Sequence, residues 1–236
     1  MIPVLEIFGP TVQGEGAVIG RKTMFVRTAG CDYRCSWCDS AFTWDGSAKK
    51  DIRNMMPEEI YNELKELGGD AFDHVTISGG NPALLPHIDG LLQLFKEKGI
   101  TSALETQGSK YQPWFQNIDE LTISPKPPSS GMKTDFDKLA FILNEVGRQS
   151  VSLKVVVFDE DDLAFAKTVH QRFPDVPFYL QVGNDQLSET DDGKLLAYLA
   201  SRYEWLINLV MPDPDFKRVR VLPQLHTFVW GNKKGV

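Results

Sequence analysis

The chain contains three cysteines, Cys31, Cys35 and Cys38, and all of them fall within the eight residues Cys31-Asp32-Tyr33-Arg34-Cys35-Ser36-Trp37-Cys38. Thiols held this close by one short loop can converge on a single metal centre, and an odd number argues against a disulfide framework. A structural zinc ion is the plainer alternative, but zinc takes four ligands, often as two separated pairs. There is no fourth cysteine, and none of the four histidines, His74, His87, His170 and His226, lies near the trio in sequence. A cubane [4Fe-4S] cluster held by three thiolates would keep one iron free of protein ligands, and such an open position permits chemistry beyond electron transfer.

Further polar and glycine-rich clusters could line a site: Thr11-Val12-Gln13-Gly14-Glu15-Gly16, Ser78-Gly79-Gly80-Asn81-Pro82, Glu105-Thr106-Gln107-Gly108 and Ser124-Pro125-Lys126-Pro127-Pro128. Gly79 and Gly80 allow close backbone approach and positive φ, which suits either a polar ligand or a tight strand-to-helix turn. Taken alone, each polar residue is equally compatible with an ordinary strand end.

Positioning these clusters requires alternating strands and helices. Short apolar runs predict strands at 22–28, 75–78, 101–106, 121–124, 152–158, 177–182 and 218–222. Between them, Pro57–Leu67 carries Ile60, Leu64 and Leu67 on one face, and Ile88, Leu91, Leu92 and Phe95 follow the same helical stripe. Asp135–Val146, Glu160–Phe173 and Thr190–Val210 complete the expected helices, with the acidic run Asp159-Glu160-Asp161-Asp162 as a helix N-terminal charge cluster. Some six strand–helix units are too few for a closed eight-fold barrel, so the expectation is an α/β fold, an open, partial (β/α)6 TIM-like barrel. Each polar cluster follows a strand, which places a site at the C-terminal strand ends. His74 and His87 at helix boundaries and His170 within a helix read as solvent-facing or capping residues.

Composition bounds the function. Of 236 residues, 42% are apolar and 24% charged, as in ordinary globular proteins, and the formal net charge of -7 disfavours nucleic acid as a partner. No apolar run approaches the roughly 18 residues needed to span a bilayer, and the N-terminus has no basic segment or cleavage site, so a cytoplasmic protein without a membrane partner is expected.

The C-x3-C-x2-C spacing and the aromatic-rich loop after it resemble the radical S-adenosylmethionine (SAM) superfamily. The resemblance implies that the open iron chelates SAM and that the reduced cluster cleaves its sulfonium to a 5'-deoxyadenosyl radical. Ser78–Pro82 is similar to the superfamily's Gly-Gly-Glu-Pro segment, which holds the SAM amino group, with Asn81 in place of Glu. An amide oxygen still accepts from an ammonium but carries no charge. By position in the family, Gly80, Asn81, Glu105, Gln107, Ser124, Pro125, Lys126 and Gln181 are implied to hold the cofactor, with Trp37 and Asp39 beside its adenine.

A narrower resemblance rests on Phe8-Gly9-Pro10-Thr11-Val12-Gln13-Gly14-Glu15-Gly16 followed by Phe25-Val26-Arg27-Thr28-Ala29-Gly30-Cys31. These strings are similar to the 7-carboxy-7-deazaguanine synthase family, in particular its Bacillus-type members. The likeness runs through Cys38-Asp39-Ser40, Leu153-Lys154-Val155 and Leu222-Pro223-Gln224-Leu225-His226 to Trp230-Gly231-Asn232. It implies one radical SAM core domain over residues 1–236, a modified partial barrel with an N-terminal substrate loop and a C-terminal extension. The family converts 6-carboxy-5,6,7,8-tetrahydropterin to 7-carboxy-7-deazaguanine with loss of ammonia, a step of queuosine and deazapurine biosynthesis. Val12, Gln13, Gly14, Glu15, Arg27, Ser78 and His226 are implied to bind the pterin, and Ser40 to hold a Mg²⁺ on its carboxylate. Gln13, Glu15 and Arg27 offer an amide, an acceptor and a bidentate fork, which suits a pterin edge and a carboxylate. A homodimer and a flavodoxin- or ferredoxin-type electron donor are further family expectations.

Two alternatives stay open on the residues. A glycyl-radical activase shares the cysteine spacing but not the Gln-Gly-Glu-Gly loop, and a non-catalytic iron-sulfur or zinc module would not cleave SAM. The tail Asn232–Val236 is either folded back on the site or a frayed end, with the second slightly preferred.

Overall fold

The computed structural model describes residues 1–147 and 151–236. Its strands are β1 (Ile2–Val12), β2 (Lys22–Thr28), β3 (Arg53–Met55), β4 (His74–Gly79), β5 (Thr101–Thr106), β6 (Glu120–Ile123), β7 (Val151–Val157), β8 (Phe178–Val182) and β9 (Val219–Leu222). The helices are α1 (Pro57–Gly68), α2 (Asp89–Glu97), α3 (Phe136–Val146), α4 (Glu160–Arg172), α5 (Asp192–Val210) and α6 (Leu225–Trp230). All nine strands form one sheet in the order β3-β1-β2-β4-β5-β6-β7-β8-β9. From β2 onward each strand pairs parallel to the next, whereas β1 is antiparallel to both β2 and β3. The sheet is open, with β3 and β9 at its edges, as the partial-barrel expectation required.

Parallel strands must be crossed back by connections on the sheet face. Four crossovers, from β4 to β5 and from β6 to β9, run through α2, α3, α4 and α5, and the long one from β2 to β4 ends in α1. The crossover from β5 to β6 uses a 3-10 turn, Pro113–Asn117, instead. There Trp114 and Phe115 are buried, and Trp114 Nε1 donates to the Leu85 carbonyl at 3.1 Å. The helices bury the stripes read from sequence: Ile60 and Leu64 of α1, Leu91, Leu92 and Phe95 of α2, and Leu139, Ile142 and Leu143 of α3. Every residue of β7 is buried, as a central parallel strand covered on both faces should be.

Three features differ from the sequence expectations. Neither β1 nor β3 was foreseen. Gly9-Pro10 interrupts the alternation of β1, and the strand absorbs it in a register shift between Phe8 and Thr11. β3 is three residues long, too short to show a period. His74 and His170 are buried rather than solvent-facing. His74 Nδ1 lies 2.7 Å from Thr23 Oγ1, and burial, with Arg21 nearby, pushes its pKa down to about 4, so it is a neutral core residue. His170 packs between Phe178 and Phe216, while His87 is exposed as expected.

Candidate functional site

A cavity of about 330 Å³ opens at the C-terminal ends of the parallel strands. All three cysteines border it, and its floor is made where β4 meets the cysteine loop. Gly80 lies so close to that loop that an added Cβ would sit 2.1 Å from the Gly30 carbonyl oxygen, and one on Gly79, at φ +136°, would sit 2.2 Å from the Thr28 oxygen. Only glycines permit this approach, and backbone bonds use it: Asn81 N–H donates to the Gly30 carbonyl at 2.7 Å.

The loop has no helix or strand of its own between Cys31 and Cys38. Its order comes from side-chain hydrogen bonds. The Asp32 carboxylate accepts from Gln107 Nε2 at 2.6 Å and from Asn81 Nδ2 at 2.9 Å. Ser36 Oγ donates to the Ser129 carbonyl and Trp37 Nε1 to Ser129 Oγ, at 2.7 and 2.9 Å. Ser129 is in turn fixed by Asp162, whose carboxylate accepts from its backbone N–H and its hydroxyl at 3.0 and 2.6 Å. Trp37 packs on Phe158 with ring centroids 4.8 Å apart. Asp162 is thus more than part of a charge cluster: it is fully buried and holds two loops together.

Burial pushes the Cys31 and Cys35 thiols above their ordinary pKa, against the pull of the Lys126 ammonium, so metal loading must displace protons. Three partly exposed thiols on one short loop, lining a cavity that glycines open and with no fourth cysteine in the chain, fit a cluster with an open iron better than a four-coordinate zinc ion.

The opposite wall is built from the N-terminal loop and α6. Gly14 is pressed against His226, where an added Cβ would lie 2.2 Å from Nδ1, and the Gly14 carbonyl accepts from Leu225 N–H at 3.0 Å. Glu15 accepts from Gln224 Nε2 at 2.9 Å and pairs with Lys154 Nζ at 2.5 Å, which reaches Glu105 at the same distance. Burial alone would raise the Glu15 pKa, but Lys154, His226 and the hydrogen bonds outweigh it and hold the carboxyl well below the usual range. Lys154, disfavoured as a cation by its burial, is kept charged by Glu105 and Glu15, with its pKa raised. Arg27 Nε donates to Glu6 at 2.5 Å, and its guanidinium lies 5.6 Å from the Phe8 and Phe42 ring centroids. Ser78 Oγ is buried without a hydrogen-bond partner in a residue that borders the cavity.

Of the residues singled out from sequence, Val12, Gln13, Gly14, Glu15, Arg27, Trp37, Asp39, Ser40, Ser78, Gly80, Glu105, Gln107, Lys126 and His226 join the cysteines around the cavity. Asn81, Ser124, Pro125 and Gln181 do not border it. Both ends of the Asn81 amide are occupied, since its oxygen accepts from Thr106 Oγ1 at 2.7 Å and its nitrogen donates to Asp32. Ser124 acts one step back, accepting from Lys126 Nζ at 3.1 Å. Gln181 is fully buried with neither amide atom paired.

Sequence reasoning missed Lys154, whose signal was plain: it is the one charge in the run Val151–Val157. It also missed Phe158 and Asp162, which no local pattern distinguishes. The tail differs from the slight preference for a frayed end: Lys233, Lys234, Gly235 and Val236 border the cavity, with Lys234 Nζ 4.3 Å from the Phe42 ring centroid.

Comparison with known proteins agrees with this geometry. The model of the radical SAM superfamily matches residues 25–156. The chain is 67% identical to the 7-carboxy-7-deazaguanine synthase of Bacillus subtilis (strain 168), over 100% of this chain and 98% of that one. It is 60% identical to the protein of the same name from Bacillus cereus, over 100% and 99%. Among solved structures it resembles QueE from Escherichia coli, with a TM-score of 0.67 at 22% identity, covering 95% of this chain and 94% of that one.

Proposed function

Because this chain belongs to the 7-carboxy-7-deazaguanine synthase family of radical SAM enzymes, we propose that it converts 6-carboxy-5,6,7,8-tetrahydropterin to 7-carboxy-7-deazaguanine and ammonia. One arrangement carries the reading: the cysteine trio and the Gln13, Glu15 and Arg27 side chains open onto the same cavity. Substrate and product differ by one ammonia, so the conversion needs no net oxidant. The family uses a [4Fe-4S] cluster and SAM, which when bound supply a radical able to abstract the hydrogen at C6 of the pterin.

The chain's own residues bind, orient and shield. Arg27 spends Nε on Glu6 and keeps its two terminal nitrogens for a bidentate grip on the substrate carboxylate. The Gln13 amide oxygen already accepts from Glu15 N–H at 3.2 Å, which turns its NH2 group to the pterin as a donor. Ionised Glu15 accepts from the guanidine-like edge, and the unpartnered Ser78 hydroxyl and His226 complete the polar contacts, with Val12 and Gly14 contributing backbone. A Mg²⁺ on the substrate carboxylate would take Ser40 as its protein ligand. Support comes from a cluster that lines the same cavity as Ser40: oxygens of Glu15 and Asp39 and a ring nitrogen of His226 lie within 4.8 Å of one another. Mg²⁺ suits such a shared site, because it keeps waters and binds largely through its substrate.

On the cofactor side, Cys31, Cys35 and Cys38 hold the cluster, and Gly80, Glu105, Gln107 and Lys126 face SAM, with Trp37 and Asp39 at its adenine. Asn81 and Ser124 support this side from behind, through Asp32 and Lys126, while a cofactor role for Pro125 and Gln181 rests on the family alone. Phe8, Phe25, Phe42 and Phe158 exclude water and stray hydrogen donors from the cavity. Such a small, tail-lined cavity favours a small molecule over the protein substrate of a glycyl-radical activase. A single domain over 1–236, a homodimer, a flavodoxin- or ferredoxin-type donor and a cytoplasmic location rest on the family alone. Among the described residues no helix is long and apolar enough to cross a membrane.

The test is an anaerobic incubation of reconstituted protein with SAM, dithionite, Mg²⁺ and substrate deuterated at C6, read by mass spectrometry. Formation of 7-carboxy-7-deazaguanine with deuterium traced into SAM is the expected result. Cleavage of SAM with an untouched pterin would overturn the substrate assignment.

A further inference from the structure

The indole nitrogen of Trp44 lies 3.5 Å from Cys38 Sγ. We infer that Trp44 donates its N–H to the Cys38 thiolate and raises the reduction potential of the cluster, acting on the reaction through Cys38 rather than by touching a substrate. The inference rests on the reading above, in which Cys38 is a cluster ligand.

Local structure delivers the ring to the sulfur. After Cys38, residues Ala41–Thr43 form a 3-10 turn, closed by Trp44 N–H to the Ala41 carbonyl at 2.9 Å and by Thr43 Oγ1 to the Ser40 carbonyl at 2.8 Å. The Thr43 carbonyl accepts from Gly30 N–H at 2.8 Å, so the turn is tied to the start of the cysteine loop as well as to its end. Arg34 lies over the indole, its guanidinium 4.6 Å from the ring centroid, and is itself fixed by donating to the Cys31 and Tyr33 carbonyls at 2.6 and 2.7 Å. A cation on the face of the ring draws electron density from it and makes the N–H a stronger donor.

Hydrogen bonds to cluster sulfurs are one of the main levers on iron-sulfur potentials. Reduction adds negative charge that is shared with the thiolates, so a donor stabilises the reduced cluster more than the oxidised one. Cys31 receives such a bond from the Tyr33 backbone N–H at 3.4 Å, which changing the Tyr33 side chain does not remove, and a longer one from Gln107 Nε2 at 3.8 Å. Trp44 supplies the counterpart on Cys38 from a side chain, and so it can be removed.

The experiment is a redox titration of the reconstituted protein without SAM, monitored by electron paramagnetic resonance, with iron content measured on every sample. In W44F the cluster should load as in the wild type and titrate at a more negative potential. W44H, which restores a ring N–H, should return part of the shift. W205F serves as the control, because that indole lies on α5 against Arg202, away from the cavity, and its potential should match the wild type. A second measurement needs no variant: in wild-type protein labelled with ¹⁵N at the tryptophan indoles, the reduced cluster should show a hyperfine coupling to ¹⁵N. An unchanged potential in loaded W44F, an equal shift in W205F, or no ¹⁵N coupling would each overturn the inference. Failure of the wild type to assemble a cluster would instead sink the functional reading, and this inference with it.

Discussion

Replacing Lys154 with methionine keeps most of the unbranched side chain, one heavy atom shorter, and removes the cation between Glu15 and Glu105. Lys154 is 1% exposed, while the Glu15 and Glu105 side chains keep 18% and 28%. Removing one partner of a buried ion pair costs about 3–5 kcal/mol, because the other charge stays buried and uncompensated. Here Glu105 can turn toward water and Glu15 retains its Gln224 bond, which places the expected loss near the lower end, about 3 kcal/mol. In a chain of this length that lowers Tm by about 6–12 °C. The pH dependence gives a sharper test. In the wild type the Glu15 pKa is depressed below its ordinary 4.5, so its contribution is fully present above pH 4.5 and disappears only as pH falls through the lower folded value. Without Lys154 the burial that raises this pKa goes largely unopposed. The sign then reverses: ionised Glu15 destabilises the variant at neutral pH, and protonation on going from about pH 8 to 5 relieves it. Urea unfolding of both proteins across that range reads the difference, and E15Q in the K154M background should recover part of the loss. A K154M protein within about 1 kcal/mol of wild type at pH 7.5, or a deficit that does not shrink on acidification, would refute the argument.

Gly80→Ala places a methyl 2.1 Å from the Gly30 carbonyl oxygen and 2.9 Å from Cys31 Cβ, and should cost about 3 kcal/mol or more, with loss of iron on reconstitution. Thermal melts and iron analysis check it. Arg27→Lys keeps the charge but loses the fork; since each charged hydrogen bond is worth about 1.5–3 kcal/mol, the pterin KM should rise roughly 10- to 100-fold. The Kd for SAM, measured separately, should stay as in the wild type. Asp162→Asn removes an acceptor from the set that fixes Ser129, and should cost about 1–3 kcal/mol. Hydrogen exchange at the Ser36 amide, bonded to the Ser130 carbonyl at 3.1 Å, should speed up in that variant.

How far this was legible in the sequence depends on how local the signal was. The cysteine trio, Gly79-Gly80 and the strands β2 and β4 to β9 were readable because spacing, turn chemistry and near-continuous apolar runs are properties of adjacent residues. β1 was not, because Gly9-Pro10 reads as a turn and its strand character shows only in pairing with β2 and β3. Among the four acidic residues Asp159–Asp162, sequence alone could not say that Asp162 faces inward while Asp159 caps α4. His74 looked like a boundary residue because its partner, Thr23, is 51 positions away. Lys154 could have been found, since a lone charge in an otherwise uncharged, buried strand must have a partner.

The cysteine loop borrows its order from elsewhere: from Ser129 and Asp162, from Gln107, and from the glycine contact with β4. Small zinc modules behave oppositely, since there the metal organises the ligands and its removal unfolds the chain. Here the bonds that order the loop are made by the polypeptide itself, so part of the conformational entropy of ordering it is offset by protein contacts rather than by metal ligation. Folding and cofactor assembly should therefore be separable events. A cluster lost to oxygen should leave behind a receptive scaffold rather than a denatured one, ready for repair by reinsertion of iron and sulfide.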